Sequence, residues 1–211
     1  MQSKRKNFVR GDTAKVPSGV AIGALNNRFA WAEAADFDSD VDVLNYALTL
    51  EYLEAEFYRQ GNEAGLLSGK EATYLAAVQR DEESHVATVM QTVQKIGGQP
   101  VAAPAVDFGD AFSSRKKYLT LSHTFENVGV QAYLGAAGFI SDKAILQAAA
   151  GIFGVEARHA AIVGNLLGLE AEGGVYMGAT ETPLSKGEVL GAVQPFLADA
   201  AAAGGDAAVT L

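Results

Sequence analysis

Glu82-x-x-His85 and Glu156-x-x-His159 are two copies of one four-residue pattern. Each copy is preceded by a lone glutamate with a tyrosine seven residues after it. The series Glu51, Tyr58, Glu82, His85 is thus repeated as Glu126, Tyr133, Glu156, His159, with glutamate separations of 31 and 30. On an α-helix, positions i and i+3 share a face, so each Glu-x-x-His offers one oxygen and one nitrogen to a common point. Glu51 and Glu126 complete or bridge such a point from facing helices. Four carboxylates and two imidazoles on four helices form the ligand set of a two-metal centre in a helix bundle.

A single Glu-x-x-His on a helix is usually a solvated pair worth a few tenths of a kcal/mol. Here two of only three histidines carry the glutamate, at matching distances from a Glu-x6-Tyr unit. Four carboxylates on otherwise apolar helix faces would be costly to bury without partners or metal. Carboxylates offset the charge of two divalent ions and can bridge them, while imidazole suits iron, manganese or zinc. The expected cofactor is two divalent ions, iron or manganese. Binding needs ionised glutamates and neutral histidines, so occupancy should fall as pH drops.

Tyr58 and Tyr133 return to the ligand face two turns on, where a phenol can hydrogen-bond a ligand carboxylate. Glu54 and Glu56 compete with Glu51 for the first-helix position, Glu54 from one turn away on nearly the same face. Glu51 is favoured because it alone reproduces the seven-residue spacing to tyrosine. His123, one turn before Glu126, is a further candidate. Asp81 and Glu83 flank Glu82 and are expected to face solvent. Ala47, Val78, Leu121, Phe125, Ile152 and Val163 are expected to keep bulk water out.

The 211 residues are 49% hydrophobic and 19% charged, enough for one globular domain with a real core. The absence of cysteine excludes disulfides, thiolate metal sites and iron–sulfur clusters within these residues. A net charge of −9, with basic residues clustered only near the start, argues against nucleic-acid binding. No stretch of 18 apolar residues is present, so no membrane span is expected. Residues 1–35 read differently. Ser3 to Arg10 is basic with a Lys4-Arg5 pair, followed by a short apolar stretch and Ala32-Glu33-Ala34. This predicts a twin-arginine-type export signal and a periplasmic or exported protein; the alternative is a basic, poorly ordered tail on a cytoplasmic one.

Four long helical patterns follow in residues 36–169. The first is expected from Ser39-Asp40 to about Gln60, stopped by Gly61-Asn62, and the second from Ser68, with a capping-box Glu71, to Gly97-Gly98. The third should run from Ser113 or Ser114 to Phe139, the fourth from Ser141-Asp142 to Leu167. Short joins within each pair and a long Pro- and Ala-rich stretch between the pairs predict an all-α fold. The expected arrangement is the ferritin-like variant of a four-helix bundle, two antiparallel hairpins joined by a crossover. Residues 170–211 are expected to hold a Gly-rich loop, a short fifth helix from Ser185 to Ala200 and a frayed tail.

The run Leu50-Glu51-Tyr52-Leu53-Glu54-Ala55-Glu56-Phe57-Tyr58 resembles the first helix of bacterial ferritin-like domain proteins related to plant desiccation-related proteins. The resemblance covers roughly Asp36 to Leu169. It implies Glu51, Glu82, His85, Glu126, Glu156 and His159 as six ligands, with Glu82 and Glu156 as bridges. Similar centres occur in manganese catalases, rubrerythrin-type peroxidases and ferroxidases. The expected function is an oxidoreductase acting on peroxide, oxygen or Fe(II) in oxidative or desiccation stress. Without a cysteine-bound electron donor in the chain, peroxide dismutation is favoured over reductase-fed chemistry. The alternative is a non-catalytic metal-binding protein of stress protection. The expected partners are a small-molecule oxidant or metal ion, and a homodimer is the working assumption for assembly.

Overall fold

The computed structural model describes residues 36–198. The expected export signal falls on residues 1–35 and lies outside the described residues, as does the tail beyond 198.

Among the described residues five α-helices form: α1 (Asp40–Glu63), α2 (Gly69–Lys95), α3 (Arg115–Ala136), α4 (Lys143–Leu167) and α5 (Lys186–Val193). Ser39 caps α1, its hydroxyl accepting from the Asp42 N–H at 3.2 Å, and Asp40 and Asp42 favour the positive end of the helix dipole. The helix continues past its expected end near Gln60. Gly61 is not a stop there; a Cβ would lie 2.2 Å from the Tyr118 ring, so glycine lets α3 approach. Ser68 precedes α2, but the expected capping box does not form. Its would-be partner Glu71 accepts instead from Arg115 at 2.9 Å. Gly97, at φ +83°, and the Gly98 N–H bonded to the Val93 carbonyl at 2.9 Å close α2 in a Schellman turn.

Ser114 caps α3, and a 3₁₀ turn, Ala137–Phe139, completes it. The Asp142 carboxylate accepts from Ala144 and Ile145 to start α4, and Gly168 in the left-handed region ends it. A full capping box between Ser185 and Glu188 opens α5. That helix ends at Val193, short of the expected Ala200. Pro195 has no N–H for a further helical bond, and the chain turns through a 3₁₀ segment, Gln194–Phe196. Among the described residues the only extended pairing is two isolated bridges, Val106 with Leu197 and Glu172 with Tyr176.

The helices pair as two hairpins, α1 with α2 and α3 with α4. Backbone N–H groups of Ser141 and Asp142 bond the Asp40 carboxylate at 2.7 and 2.9 Å. The α3–α4 join therefore sits at the start of α1, and α1 runs antiparallel to α3. Arg115 spans the other end, reaching Glu71 at the start of α2 and the Leu166 carbonyl at the end of α4. Asn45 ties Gln99 and Val101 to the start of α1. From there the chain must travel the length of α1, about 36 Å for 24 residues, to begin α3. This is the expected hairpin, crossover, hairpin arrangement of a ferritin-like bundle.

The core between hairpins is aromatic at one end, where Phe57 packs edge-on against Phe108 and Phe125 at 5.2 and 5.0 Å. Towards the middle it becomes polar. No described helix is long and apolar enough to cross a membrane.

Candidate metal centre

All four helices turn acidic side chains inward at mid-length. Glu82, Glu126 and Glu156 have no exposed surface, Glu51 has 1%, and His85 and His159 are buried beside them. His85 Nδ1 lies 3.0 Å from Glu82 Oε2, 3.2 Å from Glu156 Oε1 and 3.4 Å from Glu51 Oε2. His159 Nδ1 lies 2.9 Å from Glu82 Oε1 and 3.3 Å from Glu126 Oε2. Glu82 thus turns one oxygen to each imidazole. Two groups of donor atoms result: Glu51, Glu82, His85 and Glu156; and Glu82, Glu126, Glu156 and His159. Within each group the donors lie within 4.8 Å of one another, and Glu82 and Glu156 belong to both.

This geometry is not a finished hydrogen-bond network. An imidazole N–H serves one acceptor, yet three carboxylate oxygens crowd His85 Nδ1. Glu51 Oε2, Glu82 Oε1, Glu126 Oε2, both oxygens of Glu156 and His159 Nδ1 are buried without a hydrogen-bond partner. Each such atom costs about 1–3 kcal/mol when left unmet. All six belong to residues of the two converging donor groups, so the residues fit a pair of cations.

The electrostatics carry the same message. Burial, reinforced by neighbouring carboxylates, pushes Glu51, Glu54, Glu126 and Glu156 above the usual carboxylate range. Burial also pushes Glu82 up, but the two imidazoles outweigh it and hold that carboxyl at about 2. Burial alone would lower both histidines. Glu126 and Glu82 instead raise His159 to about 11, and Glu156, Glu51 and Glu82 raise His85 further. These shifts favour protons on the buried carboxylates and imidazoles, the positive charge that cations could supply instead.

The tyrosines act across the bundle. Tyr58 of α1 donates to Glu126 of α3, and Tyr133 of α3 donates to Glu51 of α1. Tyr58 also shares a 2.6 Å hydrogen bond with Ser122. Each phenol thus holds the carboxylate of the opposite hairpin, not the one seven residues before it.

The two doubtful candidates separate. Glu54 is buried at 4% exposure but belongs to neither group of converging donors. It lines a cavity of about 10 Å³ with Gly129, room for roughly one water. A Cβ on Gly129 would lie 3.3 Å from Glu156 Oε2 and 3.4 Å from Glu54 Oε1, so the missing side chain is what gives these carboxylates space. His123 turns away from the cluster. Its Nε2 bonds the Gly174 carbonyl at 2.8 Å and anchors the loop after α4.

Two residues escaped sequence reasoning. Asp81, expected to face solvent, accepts from His159 Nε2 at 3.2 Å while remaining half exposed. It sits one residue before Glu82, a spacing that carries no motif; only the packing of α4 on α2 brings it to the imidazole. Ser122, buried behind Tyr58, lay in plain sight one turn before Glu126. Of the expected apolar shield, Ala47, Val78, Phe125, Ile152 and Val163 are buried, whereas Leu121 is only half-buried.

The sequence profile of the Ferritin-like domain matches residues 39–169, the four-helix bundle and well over half of the chain. No curated protein matches the chain in sequence. A solved structure described as ferritin-like, diiron-carboxylate proteins from Bacillus anthracis str. Ames superposes with a TM-score of 0.52. That likeness covers 60% of this chain and 94% of the other, at 18% identity, and so speaks for the fold. With the profile matching across the bundle, this chain belongs to the family of ferritin-like domain proteins.

Proposed function

We propose that the buried cluster holds two divalent metal ions and acts on peroxide, oxygen or Fe(II). In this reading Glu51 and His85 serve one ion, Glu126 and His159 the other, and Glu82 and Glu156 are shared. The observation that carries it is the set of six buried atoms without hydrogen-bond partners, all on residues of two overlapping donor groups. The Bacillus anthracis protein, described as diiron-carboxylate, has the same fold. When bound, such a pair supplies one-electron redox steps and Lewis acidity towards a small oxygen-containing molecule. Oxygen and imidazole donors accept both iron and manganese.

The protein's own part is positioning and exclusion. Tyr58 and Tyr133 fix the two unshared carboxylates, and the His159–Asp81 bond aims that imidazole's Nδ1 inward. Apolar side chains including Val78, Phe125 and Val163 close the site to bulk water. The cavity beside Glu54 and Gly129 has room only for a water-sized molecule, which favours a small oxidant over an organic substrate. In this reading the removal of such oxidants serves oxidative-stress defence. Protein loaded with iron or manganese should evolve oxygen from peroxide or oxidise Fe(II). A fully loaded sample that does neither leaves a non-catalytic metal-binding role.

A further inference from the structure

The two halves of the bundle match at every candidate ligand, but they break their own symmetry around them. A shift of 75 residues carries Glu51 and Tyr58 onto Glu126 and Tyr133; a shift of 74 carries Glu82 and His85 onto Glu156 and His159. Under these shifts Ser122 corresponds to Ala47, and Asp81 corresponds to Val155. Both differences fall on residues that support ligands.

On one side, Glu126 is held by Tyr58, and Tyr58 by Ser122 at 2.6 Å. His159 is held through Nε2 by Asp81 at 3.2 Å, which fixes the tautomer and turns the Nδ1 lone pair into the cluster. On the other side, Glu51 is held by Tyr133, but the place equivalent to Ser122 is a methyl group. A cavity of about 20 Å³, apolar in lining, opens there between Ala47, Ala132, Ala136 and the Tyr133 ring. The residue that corresponds in sequence to Asp81, the partner of His159, is Val155, whose side chain cannot accept a hydrogen bond from His85. Among the described residues His85 Nε2 has no partner.

We infer that the two metal positions are inequivalent: the Glu126–His159 position binds its ion first and more tightly, and the Glu51–His85 position holds the exchangeable one. This rests on the two-metal reading above. A ligand already fixed in its binding orientation loses less freedom when the metal arrives, and partners that orient a ligand change affinity by about 10–100-fold. Ser122 and Asp81 are positioning residues for the tight position.

The test is a titration of the metal-free, full-length protein with Mn(II) under anaerobic conditions, followed by calorimetry and electron paramagnetic resonance. Two steps are expected, at least about 10-fold apart. At one equivalent the spectrum should be that of an isolated ion, and crystals grown there should show anomalous density at His159. Asp81→Ala should weaken the tight step by about 10-fold and leave the weak step unchanged, with Asp81→Asn, which keeps an accepting oxygen, restoring part of the loss. Ala47→Ser should narrow the gap by giving Tyr133 a partner. Two ions bound with equal affinity, first density at His85, or an Asp81→Ala effect equal at both steps would overturn the inequivalence. Fewer than two ions bound by the wild type would overturn the two-metal reading itself.

Discussion

Tyr58 on α1 donates its hydroxyl proton to Glu126 on α3, and the same oxygen contacts Ser122 at 2.6 Å. With its counterpart from Tyr133 to Glu51, this bond ties the hairpins together at the cluster. Tyr58→Phe leaves a buried carboxylate oxygen and the Ser122 hydroxyl unmet, at a cost of about 1–3 kcal/mol. Thermal unfolding should show the loss. Metal affinity should fall about 10-fold. Unchanged unfolding and affinity together would mean that the bond contributes nothing to holding Glu126.

Glu51 and Glu54 are both buried, one turn apart, but only Glu51 belongs to a converging donor group. Glu51→Gln should weaken the binding of one metal ion by at least about 10-fold, since a neutral amide replaces a charged ligand. Glu54→Gln should leave two ions bound. It should also raise the stability of the metal-free protein, because burial and neighbouring carboxylates disfavour a charge on Glu54. A binding titration of both variants decides the matter. Loss of an ion in Glu54→Gln would make Glu54 a ligand.

Metal-free and metal-loaded protein should respond to pH with opposite signs. In the metal-free chain Glu51, Glu54, Glu126 and Glu156 titrate above their unfolded range, so the folded state keeps protons that the unfolded state releases. That stability is complete below about pH 4.3 and declines as pH rises. His159, raised to about 11, contributes fully below about pH 6.5 and loses its contribution as pH climbs towards 11; His85 acts in the same direction. Glu82, held at about 2, works the other way and loses its contribution only as pH falls from about 4.3 towards 2. Metal-free protein should therefore be less stable at pH 8 than at pH 5. Metal-loaded protein should be more stable at pH 8, because acid protonates its ligands. Unfolding curves at the two values, with and without metal, test this directly.

Glycines in the bundle divide by what surrounds them. A Cβ at Gly135 would sit 1.9 Å from the Leu184 carbonyl oxygen, where the segment leading to α5 crosses α3. Gly135→Ala should cost about 1–3 kcal/mol, since backbone must move. Gly151, on an exposed part of α4, has nothing within 4 Å of such an atom, and Gly151→Ala should gain about 0.5–1 kcal/mol. Equal effects in a denaturant titration would contradict the close approach at Gly135.

The inward-facing Glu and His pattern and the bundle were legible because both rest on local spacing. Glu-x-x-His expresses the helix turn, and the repeat of Glu-x6-Tyr exposes the duplication. What depends on contacts between hairpins was not legible. Spacing placed Tyr58 on the ligand face but could not say that it serves Glu126 instead of Glu51. Asp81 lies about 100° around the helix from Glu82 and reads as solvated until α4 supplies His159. Gly61 looked like a stop because its role is a tertiary contact with Tyr118. His123 shared a face with Glu126 in projection, yet its ring reaches the Gly174 carbonyl in a loop no periodicity describes.

The most direct test is the metal content of protein purified from its native host, by elemental analysis, set beside that of a Glu82→Gln, Glu156→Gln double variant. Two ions of iron or manganese per chain in the wild type, and their loss in the variant, are expected from two donor groups that share Glu82 and Glu156. A well-folded wild type that stays metal-free when saturated with either ion would contradict the two-metal centre.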